Sequence, residues 1–246
     1  MECVWVFLIV ILILLWGVPR IREKIKPEPL FDSVYYINLA KRPKKRKQIE
    51  TQIKPLKKLT GNIIRFKAVD GTRLLDIDPQ IVNFQGIEDL NNPNKSFGLS
   101  LTKGAIGCAM SHKTIWEEVA ETEKDLVLIL EDDAVILPGF TQKISDIISE
   151  LPDEWDILYL GSDQHTVEKY LSPHLAQPSR IYGLFGYVIN WQGAKRLLKQ
   201  CFPLRYQIDT ELWLHFKNLK PVMAVPFVIG EKKRKSDIQI EKNVSL

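Results

Sequence analysis

Residues 126–130 are five consecutive aliphatic side chains, the pattern of a strand covered on both faces, and the acidic run Glu131-Asp132-Asp133 follows directly. A short β-rich run occupies 34–39. Pro43 then suits the first turn of a basic helix running to about residue 58. Residues 63–69 predict a second strand, closed by the turn signal Asp70-Gly71. The stretch 73–100, with Asn91-Asn92-Pro93 inside it, reads as irregular: an acceptor-binding loop or a plain surface insertion. Thr102 can cap a helix that continues to about 123 and buries Ile106, Met110 and Ile115. A helix over 140–151, a strand over 156–160 ending in Gly161-Ser162-Asp163, a strand over 182–190, helices over 192–200 and 209–217, and a late strand over 223–229 complete the series. Strands alternating with helices predict an α/β fold with a mostly parallel sheet flanked by helices. Ligands in such sheets sit beyond the carboxyl ends of the strands.

The amino-terminal pattern differs. Residues 3–18 carry no charge and no strong polar group, and at about 1.5 Å per residue they span roughly 24 Å, close to a bilayer core of about 30 Å. Glu2 precedes the run and Pro19-Arg20 follows it, which suits an uncleaved transmembrane helix better than a signal peptide. Arg20, Arg22, Lys24 and Lys26 all lie after the span, so the positive-inside rule predicts a single-pass anchor with the folded domain on the cytoplasmic side. The triplets Asn94-Lys95-Ser96 and Asn243-Val244-Ser245 would matter only in a secretory lumen and weigh less than the charge asymmetry. The organisation expected is an anchor and basic flank at 1–26, a Pro-containing spacer at 27–33, and one catalytic domain at 34–246.

Composition narrows the class. At 45% hydrophobic and 26% charged residues the chain is globular, neither disordered nor polytopic. A net charge of +4, from 34 Lys+Arg and 30 Asp+Glu, gives no reason to expect nucleic acid as a partner. Three cysteines make no disulfide framework and fit a reducing compartment.

The acidic triplet carries the chemistry. Carboxylates packed after a buried strand raise one another's pKa, and a hard divalent cation removes that cost. Oxygen ligands suit Mn²⁺ or Mg²⁺, which characteristically take further ligands from substrate phosphates. The alternative is a solvated turn. A Rossmann site fails for want of G-x-G-x-x-G after the first strand, where Asn38-Leu39-Ala40-Lys41-Arg42 stands, and no P-loop is present. Ser111 and His112 are adjacent within a helix and cannot face each other as a nucleophile pair. Zinc is not expected, because the histidines at 112, 165, 174 and 215 lack ligand spacing with Cys108 or Cys201.

Taken in order, the motifs resemble glycosyltransferase family 25, which includes lipooligosaccharide glycosyltransferases and procollagen galactosyltransferases. The resemblance runs from Tyr36-Ile37-Asn38-Leu39 and Lys41-Arg42-Pro43-x-Lys45-Arg46 through Arg65-Phe66-x-Ala68-Val69-Asp70-Gly71. It continues in Leu101-Thr102-x-Gly104-x-Ile106-Gly107-Cys108-Ala109-x-Ser111-His112 and Leu130-Glu131-Asp132-Asp133-Ala134. Trp155-Asp156-x-Leu158-Tyr159-Leu160-Gly161, Gly193-Ala194-x-x-Leu197-Leu198, Ile208-Asp209 and Ser236-Asp237-Ile238 close it.

The resemblance implies a GT-A fold, a UDP-galactose or UDP-glucose donor, a Mn²⁺-type ion and an inverting transfer to a glycan, glycolipid or protein-linked acceptor. It makes Asp133 the first metal ligand, with Glu131 and Asp132 holding the ion or the donor ribose. Asp209 matches a family acid and becomes the candidate base, with Asp163 second; a capping role is the plain alternative for Asp209. Asn38, Arg42, Arg46 and Asp70 fall where the nucleotide would lie. Ser111 and His112 would line the donor site, or serve the core. The chain departs from the family pattern at Ala40, Lys45, Ala105 and Gly230, and Lys45 in place of arginine removes a bidentate phosphate contact. Two rivals stand beside the transferase: an inactive carbohydrate-binding relative and a metal-dependent phosphohydrolase.

Overall fold

The computed structural model describes residues 29–232 except 93, 95, 97 and 98. The expected membrane anchor and basic flank at 1–26, the start of the expected spacer, Lys95 of the first glycosylation-type triplet, and the motifs at 236–238 and 243–245 lie outside the described residues. Among the described residues no helix is long and apolar enough to cross a membrane.

Strand β1 (Ser33–Asn38) leads to helix α1 (Pro43–Gln52), with Pro43 in its first turn as expected, and a 3₁₀ segment at Lys54–Lys58. β2 (Ile63–Lys67) ends before a 3₁₀ turn at Gly71–Arg73, capped by Asp70 through the Thr72 N–H. The stretch expected to be irregular contains helix α2 (Phe84–Asn91), capped by Asn83 on the Gly86 N–H at 2.9 Å. α3 (Lys103–Thr122) starts at Thr102, whose hydroxyl accepts the Ala105 N–H at 3.0 Å. Then come β3 (Val127–Glu131), β4 (Ala134–Ile136), α4 (Phe140–Ser149) and β5 (Ile157–Tyr159).

An unexpected hairpin follows, β6 (Gln164–Tyr170) with β7 (Leu175–Tyr182), before β8 (Gly186–Ile189), α5 (Trp191–Cys201) and α6 (Ile208–Leu214). The late apolar run forms two strands rather than one, β9 (Pro221–Ala224) and β10 (Ile229–Glu231). Pro226 lies between them, and a proline has no N–H to give a ladder.

Eight strands form one sheet in the order β2-β1-β3-β8-β5-β9-β7-β6, and β4 pairs with β10 separately. Six strands share a direction while β7 and β8 run against them, so the expected mostly parallel sheet is a mixed one. Alternating side chains fill two cores. Tyr35, Ile129, Tyr159 and Tyr187 pack towards α3, α5 and α6, whereas Tyr36, Leu128, Leu158 and Val188 pack towards α1 and α4. The fold is therefore α/β, with helices on both faces of a large sheet.

One close approach fixes the ground beneath the site. A Cβ on Gly107 of α3 would lie 2.6 Å from both the Val69 oxygen and the Gly71 nitrogen. Only glycine lets the helix meet the β2 loop so closely.

Candidate active site

A cleft opens beyond the carboxyl ends of β1, β2 and β3, which lie side by side and parallel. Its walls are the loops after β1 and β2, the start of α3, the acidic turn after β3, residues 183–185, and the start of α6. Leu39, Arg42, Asp70, Ser111, Glu131, Asp132, Asp133, Asp163 and Asp209 all line it, so residues up to 170 positions apart converge at one place. Arg46 and His112 stand outside that lining. Arg46 pairs along α1 with Glu50 at 2.7 Å.

A continuous polar network holds the triplet. Arg65 Nη2 donates to Asn38 Oδ1 at 2.8 Å, and Asn38 Nδ2 donates to Asp132 Oδ2 at 2.7 Å. Buried Asn38 thus serves Asp132 and the Arg42 carbonyl, to which Nδ2 also donates at 3.3 Å. Lys45 Nζ lies 3.3 Å from Asp132 Oδ1 and 2.9 Å from Asp133 Oδ2. Burial opposes the Lys45 charge, but its hydrogen bond to Asp133 and the Asp132 and Asp133 charges outweigh that, and its pKa is raised. Asp133 Oδ1 is buried with no hydrogen-bond partner among the described residues. A carboxylate oxygen left bare in this way is the donor a divalent ion lacks in a closed ion pair. Asp133 Oδ1 is thus an unused hard-oxygen donor of the kind Mn²⁺ or Mg²⁺ takes, although the ligand atoms that converge among the described residues are those of Cys108, His112 and Glu131 rather than those of the acidic triplet as a set.

Asp70 receives the Thr72 hydroxyl at 2.7 Å and the Lys41 ammonium at 2.9 Å. These bonds lower its pKa to about 2. Asp209 sits in the first turn of α6 and accepts the Thr210 N–H at 3.0 Å. Burial pushes its pKa up to about 6, against backbone hydrogen bonds from Thr210 and Gly183 and with help from the Glu131 charge. Asp163 faces Glu231, a residue the sequence did not single out. Burial, first, and then the hydrogen bond and charge of Asp163 raise the Glu231 pKa above the usual carboxylate range. The antiparallel register that sets Glu231 opposite Ala134 brings it to the cleft, and nothing in the local pattern announces that pairing.

Ser111 donates to the Gly107 carbonyl at 2.7 Å and accepts the Val69 N–H at 2.9 Å. It ties α3 to the β2 loop. His112 is fully buried, with Nδ1 2.7 Å from Tyr187 Oη and Nε2 3.2 Å from Glu131 Oε1. Ligand atoms of Cys108, His112 and Glu131 lie within 4.8 Å of one another, and this trio could hold a metal ion. That corrects the expectation that no histidine has ligand spacing with Cys108: the i,i+4 interval puts both on one face of α3, and β3 delivers Glu131. Burial, with the Glu131, Asp209 and Asp133 charges, holds the Cys108 thiol well above its usual pKa.

The chain belongs to glycosyltransferase family 25, whose model, described as "Glycosyltransferase family 25 (LPS biosynthesis protein)", matches residues 31–212. It is 31% identical over 192 residues to a Bos taurus protein named "Probable inactive glycosyltransferase 25 family member 3", covering 75% of this chain and 31% of that protein. A mimivirus protein named "Procollagen lysyl hydroxylase and glycosyltransferase" is 32% identical over 180 residues, 69% of this chain and 20% of its own length. Procollagen galactosyltransferase 1-B of Xenopus laevis is 29% identical over 187 residues, 72% of this chain and 30% of its own. The chain spans about a third or less of the length of these relatives.

Proposed function

We propose that the chain is an inverting glycosyltransferase of GT-A type. It moves galactose or glucose from a UDP-sugar to a hydroxyl of a glycan, glycolipid or protein-linked acceptor. The observation that carries the reading is the meeting of Asp133, with its bare buried oxygen, and Asp209, with its raised pKa, in one cleft beyond parallel strand ends. Inverting transfer needs two such groups: a site for the departing diphosphate and a base on the acceptor side.

Asp209 accepts the acceptor hydroxyl proton as the oxygen attacks the anomeric carbon; a base titrating near 6 is ionised at neutral pH yet still basic enough to help. Asp163 is the weaker choice, because its carboxylate is engaged in a hydrogen bond with Glu231. Lys45 and Arg42, on the same wall as Asp133, meet the diphosphate. Asp133 Oδ1 is the first ligand for Mn²⁺ or Mg²⁺, which when bound neutralises charge on the leaving diphosphate. The amino-terminal run anchors the protein to a membrane, with this domain on the cytoplasmic side.

A second reading has its own support, since the bovine relative is named inactive: the cleft binds a nucleotide sugar without turning it over. A screen of UDP-sugars with manganese separates the two. Donor consumption that disappears in Asp133→Ala and Asp209→Asn, with the fold retained, supports the enzyme; saturable donor binding without turnover supports the binding module. If neither donor nor ion binds, both readings fail.

A further inference from the structure

Behind the cleft, α3 carries His112 and Trp116 one turn apart, and β8 carries Tyr187 opposite them. All three side chains are fully buried. Trp116 Nε1 donates to Tyr187 Oη at 2.8 Å, as an indole nitrogen can only donate. Tyr187 Oη in turn lies 2.7 Å from His112 Nδ1, and His112 Nε2 lies 3.2 Å from Glu131 Oε1.

Hydrogen accounting assigns the direction of this chain. If the phenol donates to Nδ1, the neutral imidazole keeps its proton on Nε2 and gives it to Glu131, and every polar hydrogen finds an acceptor. The other tautomer spends Nδ1–H on Tyr187, leaves the phenol proton without an acceptor among the described residues, and sets the bare Nε2 lone pair against a carboxylate oxygen. A buried, half-satisfied network of that kind costs more than a closed one.

We propose that Trp116, Tyr187 and His112 form a one-way donor chain that fixes the Glu131 carboxylate at the cleft wall, making all three positioning residues for the reaction proposed above. One Glu131 oxygen is held from behind by Nε2–H. Glu131 is 23% exposed and lines the cleft, so its remaining lone pairs face a ligand hydroxyl or ion in a set orientation. The inference rests on the transferase reading for its consequence, but not for its geometry.

Two measurements test it on the intact protein. Nitrogen-15 NMR of histidine-labelled protein should show His112 as a neutral ring protonated at Nε2, and Tyr187→Phe, which removes only the hydroxyl, should abolish that fixed tautomer. In turnover, His112→Gln keeps an amide N–H where Nε2–H stood and should retain activity to within about tenfold. His112→Met should lose kcat by about tenfold to a hundredfold more, with donor KM little changed, the scale typical of partners that orient a site ligand. Matched thermal melts for the Gln and Met variants exclude unfolding as the cause.

A proton on Nδ1, or equal kcat in His112→Gln and His112→Met, overturns the proposal. So does a tetrahedral cobalt spectrum that appears on Co²⁺ titration and vanishes in Cys108→Ser, because a metal on Nε2 leaves no proton there for Glu131. The NMR arm needs no turnover, so it is decided even if no sugar is ever transferred.

Discussion

Lys45 Nζ sits 2.9 Å from Asp133 Oδ2 and 3.3 Å from Asp132 Oδ1, where a cation for the acidic triplet would bind. The ammonium already offsets the repulsion that makes neighbouring carboxylates seek a metal, and it leaves the buried Asp133 Oδ1 without a hydrogen-bond partner among the described residues. An incoming divalent ion must therefore share its ligands with Lys45 or displace it. Lys45→Met removes the competitor while keeping most of the volume. Mn²⁺ affinity should rise by on the order of tenfold, as read by calorimetry or electron paramagnetic resonance. Turnover should fall as well, on the proposal that the same ammonium meets the donor diphosphate. An unchanged Mn²⁺ affinity would mean that the ion binds away from Asp132 and Asp133.

Gly107 sets a steric condition where α3 meets the loop after β2. A methyl there would press on the backbone of Val69 and Gly71 at 2.6 Å, and backbone cannot swing aside as a long side chain can. Gly107→Ala should lower stability by about 1–3 kcal/mol, the usual cost of overpacking. It should also weaken donor binding, since the displaced loop carries Asp70. Chemical denaturation and donor titration check the two effects separately; normal stability would show that α3 backs away freely.

How much of this could be read from the chain alone depended on whether a feature is local. The aliphatic run of β3 and the cap at Thr102 announced themselves, as did the acids at strand ends. The β6 strand did not: its side chains are almost all exposed, so hydrophobic alternation is absent, and Pro178 interrupts its partner β7. Helix α2 was hidden by Gly86 within it. Strand direction is invisible to hydrophobicity, which is why the antiparallel β8 between β3 and β5 went unforeseen. The same holds for the site. Asp133 and Asp209 carry local marks, but the Asp163–Glu231 pair, the Lys45 bridge and the Cys108, His112, Glu131 cluster exist only through tertiary contacts.

Asp156 offers a stability test far from the chemistry. It is fully buried ahead of β5 and accepts Arg196 Nε at 2.6 Å, a second Arg196 N–H, and the Lys220 N–H at 2.9 Å. Arg196→Met leaves the carboxylate with a single backbone donor. Breaking a buried pair from one side costs about 3–5 kcal/mol, and because Arg196 is 41% exposed, water recovers part of that. A loss of about 2–3 kcal/mol is expected in urea unfolding. Arg196→Met with Asp156→Asn should recover some of it, and failure to do so would assign the loss to packing by the arginine stem.

Asp209 ties activity and stability to pH with opposite signs. Its pKa in the folded chain is raised from 3.8 to about 6, chiefly by burial. As a base it must be ionised, so kcat/KM should fall about tenfold per pH unit below about 6 and level off above it. For folding the order reverses. The protonated acid suits the buried site, so the stability it contributes is present below about 4 and is lost as pH rises through about 6. Asp209→Asn, neutral at every pH, should therefore lose turnover by about a hundredfold or more while melting higher than the parent at pH 7. The mutant's melting advantage should vanish near pH 4, where the parent carboxyl is neutral as well. A variant that loses both activity and stability at pH 7 would identify Asp209 as a structural cap of α6 rather than the base.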